Sequence, residues 1–136
     1  MKHYIKADQI ETKFPFGRDE KFIELYGQVA KGKLPYYWAL IKMEGIKPFT
    51  NADVVVNDGF KENFMKKFDE GKAISIHVYQ EGDIFIMSDD YLSYTLYKQL
   101  GVKTVPCVVM GEPSGDYVVE KIKIDYQPLT IEILKR

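Results

Sequence analysis

The chain has 136 residues, enough for one domain with its own core and short of a second domain of ordinary size. Hydrophobic residues make up 46% and charged residues 29%, the balance of a folded globular chain rather than a disordered or membrane-embedded one. Lys and Arg total 19 against 20 Asp and Glu, and the formal net charge of -1 provides no general attraction to a phosphate backbone.

The single cysteine, Cys107, rules out an internal disulfide; set among Val105, Pro106, Val108 and Val109, it reads as a small core residue of a strand. No apolar segment approaches the length needed to span a bilayer, and the N-terminus lacks the apolar stretch of a signal peptide, so the expectation is a cytoplasmic protein without a membrane partner. Lys2, Lys6, Lys13, Arg18, Lys21, Lys31 and Lys33 enrich the first quarter in positive charge and read as a solvated surface.

In chain order, residues 4–10 read as a short strand and Phe14-Pro15-Phe16-Gly17 as a turn. Asp19 is N-cap chemistry for a helix carrying Phe22, Leu25, Tyr26 and Val29 on one face until Gly32 stops it. Residues 36–42, Tyr-Tyr-Trp-Ala-Leu-Ile-Lys, are β-prone and ended by Gly45 and Pro48. A loop at Thr50-Asn51-Ala52-Asp53 leads to the apolar run Val54-Val55-Val56. Asn57-Asp58 then caps a helix striped by Phe60, Phe64 and Phe68 and closed by Gly71.

Residues 73–79 alternate Ile74, Ile76 and Val78 against Ser75, His77 and Tyr79, the period of a half-buried strand with His77 on the face away from the isoleucines. A tight turn at Glu81-Gly82-Asp83 returns the chain as the strand Ile84-Phe85-Ile86-Met87. Ser88-Asp89-Asp90 then caps a helix whose Leu92, Leu96 and Leu100 form the buried stripe, with Tyr94, Tyr97 and Lys98 on its outer surface. Strands follow at 104–110 and 117–124, and 130–134 reads as an edge strand able to pair edge to edge in a homodimer. A hairpin feeding a helix is not a regular βαβ alternation, so the class is α+β, a single domain with a mixed sheet and about three helices.

The order Ile76-His77-Val78, Gly82 to Met87, a helix closing on Leu100-Gly101, and Val105-Pro106-Cys107-Val108-Val109 resembles the core of ParB/sulfiredoxin-like domains. The resemblance centres on residues 73–110. It implies a core at about 54–111, an N-terminal helix and strand extension over 1–53, and C-terminal strands over 117–134. Members carry Asp-Gly-x-His-Arg at the helix start. Counted back from Leu100-Gly101, those positions are Asp89, Asp90, Leu92 and Ser93, of which only the first is kept.

The departures remove chemistry. A helix N-terminus offers unpaired N–H groups and the positive dipole end, which suits an anion. Here Asp89 and Asp90 repel a phosphate, and Leu92 and Ser93 supply no cation. The expectation is therefore a non-catalytic ParB-like binding module without a cofactor, using Ser88, Asp89, Asp90, Ser93, Tyr94 and Lys98 toward a protein or nucleic-acid partner. By analogy with the family it would be carried on a mobile element and serve DNA maintenance. The alternative is a Mg²⁺-dependent nuclease or phosphotransferase with Asp89 and Asp90 as metal ligands, the further oxygens coming from Asp83 and Asp53. His3 and His77 are the chain's imidazoles, and no Gly-x-Ser-x-Gly or Gly-x-x-x-x-Gly-Lys pattern occurs, so nucleophilic catalysis is not expected. His77, without a Cys or second His at ligand spacing, reads as a surface residue.

Overall fold

The computed structural model describes residues 19–51 and 54–124. The sequence expectations at 4–10, at Phe14-Pro15-Phe16-Gly17, at 130–134 and at Arg18 and Asp53 fall outside the described residues.

Helix α1 (Glu20–Ala30) is capped as its sequence implies: Asp19 Oδ1 accepts the Phe22 N–H at 3.2 Å. Its Oδ2 accepts the Tyr79 hydroxyl at 2.9 Å, so one buried carboxylate both starts the helix and ties it to the sheet. Val29 is fully buried, while Tyr26, expected on the same face, is 41% exposed. The chain then enters β1 (Tyr36–Lys42). It is not ended by Gly45 and Pro48 as a simple terminator: a 3₁₀ turn (Met43–Gly45) redirects it into a short strand β2 (Ile46–Pro48). Gly45 is required there because the Tyr117 side chain occupies the space a Cβ would take. Pro48 is tolerated because β2 is the outermost strand and its missing N–H interrupts no interior ladder.

The run Val54-Val55-Val56 forms no strand, and Val55 is 92% exposed. Asn57 caps α2 (Asp58–Asp69), its Oδ1 accepting the Phe60 N–H at 2.8 Å. The Phe60, Phe64 and Phe68 rings stack along the helix, with Phe64 buried and the Tyr97 ring set edge-on against it at 4.9 Å. Strands β3 (Ile76–Glu81) and β4 (Ile84–Met87) make a hairpin whose turn places Gly82 at φ 64, a left-handed conformation that favours glycine. Helix α3 (Tyr91–Leu100), β5 (Thr104–Met110) and β6 (Val118–Ile124) complete the described elements.

Among the described residues the strands form one six-stranded sheet in the order β2-β4-β3-β5-β1-β6. The β3/β5 and β2/β4 pairs are parallel and the others antiparallel, so the sheet is mixed. One face carries Ala39, Ile41, Ile76, Val78, Phe85, Met87, Val105 and Val109 and packs on Phe64, Leu96 and Tyr97 from α2 and α3. On the other, Tyr79, Ile86 and Met110 pack against Val29 of α1. The class is α+β, with three α-helices among the described residues. Cys107 is fully buried, its thiol donating to the Val105 carbonyl at 3.5 Å, and burial pushes its pKa upward, the opposite of a reactive thiolate.

The buried side of α3 differs from the leucine stripe expected. Leu96 is buried, but Leu100 is 39% exposed, and Tyr91, Ser93, Tyr94 and Tyr97 turn inward. Tyrosine buries more apolar area than leucine provided its hydroxyl finds a partner. Tyr97 donates to the Ile74 carbonyl at 2.6 Å, and Tyr91 pairs with the Thr50 N–H and hydroxyl at 3.0 and 3.1 Å. Burial carries the Tyr97 hydroxyl pKa up to about 12.

Candidate functional site

Two groups of residues meet at α3, one at its start and one along its flank. At the start, the hairpin register pairs Val78 with Met87, so the next position along sets His77 across from Ser88. β4 ends at Met87, and a side chain takes over the bonding to β3. Asp90 Oδ2 accepts the His77 backbone N–H at 2.7 Å and lies 3.2 Å from its Nδ1. With the carboxylate ionised, Nδ1 carries the proton and donates. This corrects two expectations. His77 is no bare surface residue, since its side chain keeps only 32% of its exposure and holds a carboxylate. Asp90, although the N-cap residue of α3, makes no capping bond with its side chain, because that side chain is spent on His77.

The charges at this point act on one another. Burial pulls the His77 pKa down, but the Asp90 hydrogen bond and the charges of Asp90 and Asp89 outweigh it, so the imidazole stands above its ordinary value. Asp89 is exposed as a residue, yet partial desolvation of its carboxyl, and then the Asp90 charge, raise its pKa against the opposing pull of His77. Ser88 is buried, and its hydroxyl has no hydrogen-bond partner among the described residues. Ser93 is buried too.

Along the flank of α3 lies an open cleft of about 470 Å³ between the helix and the loop that follows β2. Tyr94 and Lys98 line it together with Thr50, Asn51, Thr95 and Gln99; Pro48 and Val54 give it apolar walls. The Lys98 ammonium stands 5.8 Å from the Tyr94 ring centroid. Of the residues singled out in the sequence, the structure therefore unites Tyr94 with Lys98 in the cleft and Ser88 with Asp89 and Asp90 at the helix start. Tyr94 is not on an outer surface: it is 7% exposed and reaches the cleft from a buried position.

Sequence reasoning missed His77, Thr50 and Asn51. The signal for His77 was present: counting back through the hairpin from its turn pairs His77 with Ser88 and brings it to the acids. Thr50 and Asn51 had no such signal, because only the Tyr91 contact across 41 positions brings their loop to α3.

Among the described residues no group of three or more His, Cys, Asp or Glu is placed to hold a metal ion. Asp83, expected as a further ligand, precedes β4 whereas Asp89 follows it. At about 3.4 Å per residue the four strand residues separate them by roughly 14 Å or more. Among the described residues no helix is long and apolar enough to cross a membrane.

No protein-family model matches the chain, and neither does any curated protein. Among solved structures it is similar to sulfiredoxin from Arabidopsis thaliana, at 14% identity and a TM-score of 0.43, over 73% of this chain and 97% of that one.

Proposed function

We propose that the chain is a non-catalytic binding module, a ParB/sulfiredoxin-like frame without phosphate chemistry, and that it engages a protein partner along the flank of α3. The observation that carries this reading is the occupation of the α3 start. The Asp90 carboxylate is clasped by His77, Asp89 adds a second negative charge, and among the described residues no Lys or Arg pairs with either acid. A phosphate arriving there meets two carboxylates and no fixed cation but the imidazole they already hold. The flank is the more open surface, with hydroxyls, amides and one ammonium facing solvent. A nucleic-acid partner is the weaker fit, because among the described residues a single lysine lines the cleft and backbone binding draws on many.

The test is thermal unfolding of the full chain with Mg²⁺, with ATP, and with both, alongside an assay for released phosphate. The expected result is no shift from the combination beyond the single additions, and no turnover. Turnover that Asp89→Ala abolishes would sink the proposal in favour of the metal-dependent phosphate enzyme.

A further inference from the structure

We infer that residues 112–116, in the connection from β5 to β6, form a strap that opens as one unit from the tip of the β3/β4 hairpin while the sheet stays folded. The device is separate from the start and the flank of α3. Both ends of the segment are fixed by the backbone. Gly111 donates its N–H to the Pro35 carbonyl at 2.8 Å. At the other end the Tyr117 carbonyl accepts the Lys42 N–H at 2.8 Å, and the Tyr117 side chain fills the space beside Gly45. Among the described residues the backbone bond made between these anchors by residues 112–116 is the turn from the Val118 N–H to the Gly115 carbonyl at 3.2 Å, so side chains hold the segment down.

Three ties do so. Gln80 Nε2 donates to the Ser114 carbonyl at 2.7 Å and its Oε1 accepts the Ser114 N–H at 3.0 Å. Those are the two bonds that facing residues of an antiparallel ladder exchange, made here by a side-chain amide. The same Nε2 donates to the Gly82 carbonyl at 3.1 Å, which sets the amide against the hairpin turn. Lys121 Nζ donates to the Glu112 carboxylate at 3.0 Å and to the Pro113 carbonyl at 3.1 Å. Pro113 is fully buried and pegs the middle of the strap. Its ring fixes φ and stiffens the three tied residues, so that they move together.

The ties are weak where they meet water. Glu112, Ser114, Gly115 and Asp116 are exposed, and so are the Gln80 bonds. The Lys121 and Glu112 side chains keep 39% and 57% of their exposure, and an ion pair of that kind contributes little and is screened by salt. Exposed bonds and a single buried side chain put a segment at the low end of local opening free energies. The hinges are present as well. Gly111 at φ 106 and Gly115 at φ 102 hold conformations that favour glycine, and the same freedom lets the chain rotate there without a steric penalty. Opening frees the Gln80 amide and the Gly82 carbonyl at the hairpin tip and withdraws Pro113 from its seat.

The test is native-state hydrogen exchange on the full chain in increasing urea, read at the Ser114 amide and at the amides of β3 and β5. Ser114 should exchange through an opening that urea barely affects, while the β3 and β5 amides follow global unfolding. Lys121→Met should speed Ser114 exchange about twofold to fivefold, although Lys121 touches neither partner of the Ser114 bond. High salt should act in the same direction on the unmodified chain and add nothing in that variant. A Cβ at Gly115 would meet Gln80 Nε2 at 3.9 Å, an ordinary contact, so the cost of Gly115→Ala is conformational and falls on the closed strap. That variant should speed Ser114 exchange about tenfold or more. Both changes lie at exposed positions, and either one carries the test if the other fails to fold. Ser114 exchange with the urea dependence of β5, exchange indifferent to Lys121→Met and Gly115→Ala, or loss of β3 and β5 protection in step with Ser114 would overturn the inference.

Discussion

His77 and Asp90 act at the scale of single residues, and their coupling makes stability depend on pH in a definite direction. An unfolded imidazole titrates near 6.5, and in the folded chain that value is raised, so folding favours the protonated ring. The stability this adds is fully present below 6.5 and is lost as pH rises through the folded value. His77→Gln should therefore cost more at about pH 6 than at about pH 8, measured by urea unfolding at both. Equal losses at both pH values would show that the ring contributes only packing. Asp89 gives a pH dependence of the same sign at lower pH, with the charged form disfavoured rather than favoured. Its folded pKa lies above the ordinary 3.8, so the ionised form is disfavoured by folding and the penalty is complete only above the raised value. Asp89→Asn should accordingly stabilise the neutral-pH protein. Ser88 gives a third measurement, because a buried hydroxyl with no partner among the described residues costs about 1–3 kcal/mol. Ser88→Ala should leave stability unchanged or raise it by up to about 2 kcal/mol, and a loss greater than about 0.5 kcal/mol would reveal a bond to that oxygen.

At the scale of elements, α3 shows where a hydrophobic pattern informs and where it misleads. In α2 the phenylalanines at every fourth position are the largest apolar groups and have no rival, so the pattern and the buried face agree. In α3 two stripes compete, leucines at 92, 96 and 100 and tyrosines at 91, 94 and 97. Hydropathy alone favours leucine, but for Tyr91 and Tyr97 the decision turns on a partner for the hydroxyl, and those partners, Thr50 and Ile74, lie far off in sequence. Capping shows the same division. Asp19 and Asn57 cap through bonds to a residue three positions on, whereas Asp90 is diverted to His77 thirteen positions back. Tyr97→Phe should cost about 1 kcal/mol through the lost Ile74 bond, and Leu100→Ala, at an exposed position, less than about 0.5 kcal/mol. A larger loss at Leu100 than at Tyr97 would restore the leucine face. The helix signals and hairpin were thus legible in local chemistry; the face of α3, the short β2 strand and the cleft depend on contacts between distant residues.

For the whole molecule, the position of β1 has the widest consequence. It lies between β5 and β6, with Leu40 opposite Pro106 and Ala39 opposite Cys107, so residues 36–42 pair with a strand more than 60 positions away. Ala39 and Ile41 are fully buried in the same cluster as Val105, Cys107 and Val109. The segment 54–111, the core expected from the sequence, lacks this strand. Within it β5 would be paired on one edge only, and the apolar side chains opposite Ala39 and Ile41 would be open to water at about 25 cal/mol per Å² of apolar surface. Global stability of 5–15 kcal/mol leaves little room for such a loss. A fragment of residues 54–111 should therefore show no cooperative thermal transition and little native circular dichroism, while one of residues 19–124 should unfold in a single step. Cooperative unfolding of the shorter fragment would mean that β1 is an addition to an already stable core, and the pairing of β1 with β5 would then govern the cost of detaching the strand rather than the folding of the domain.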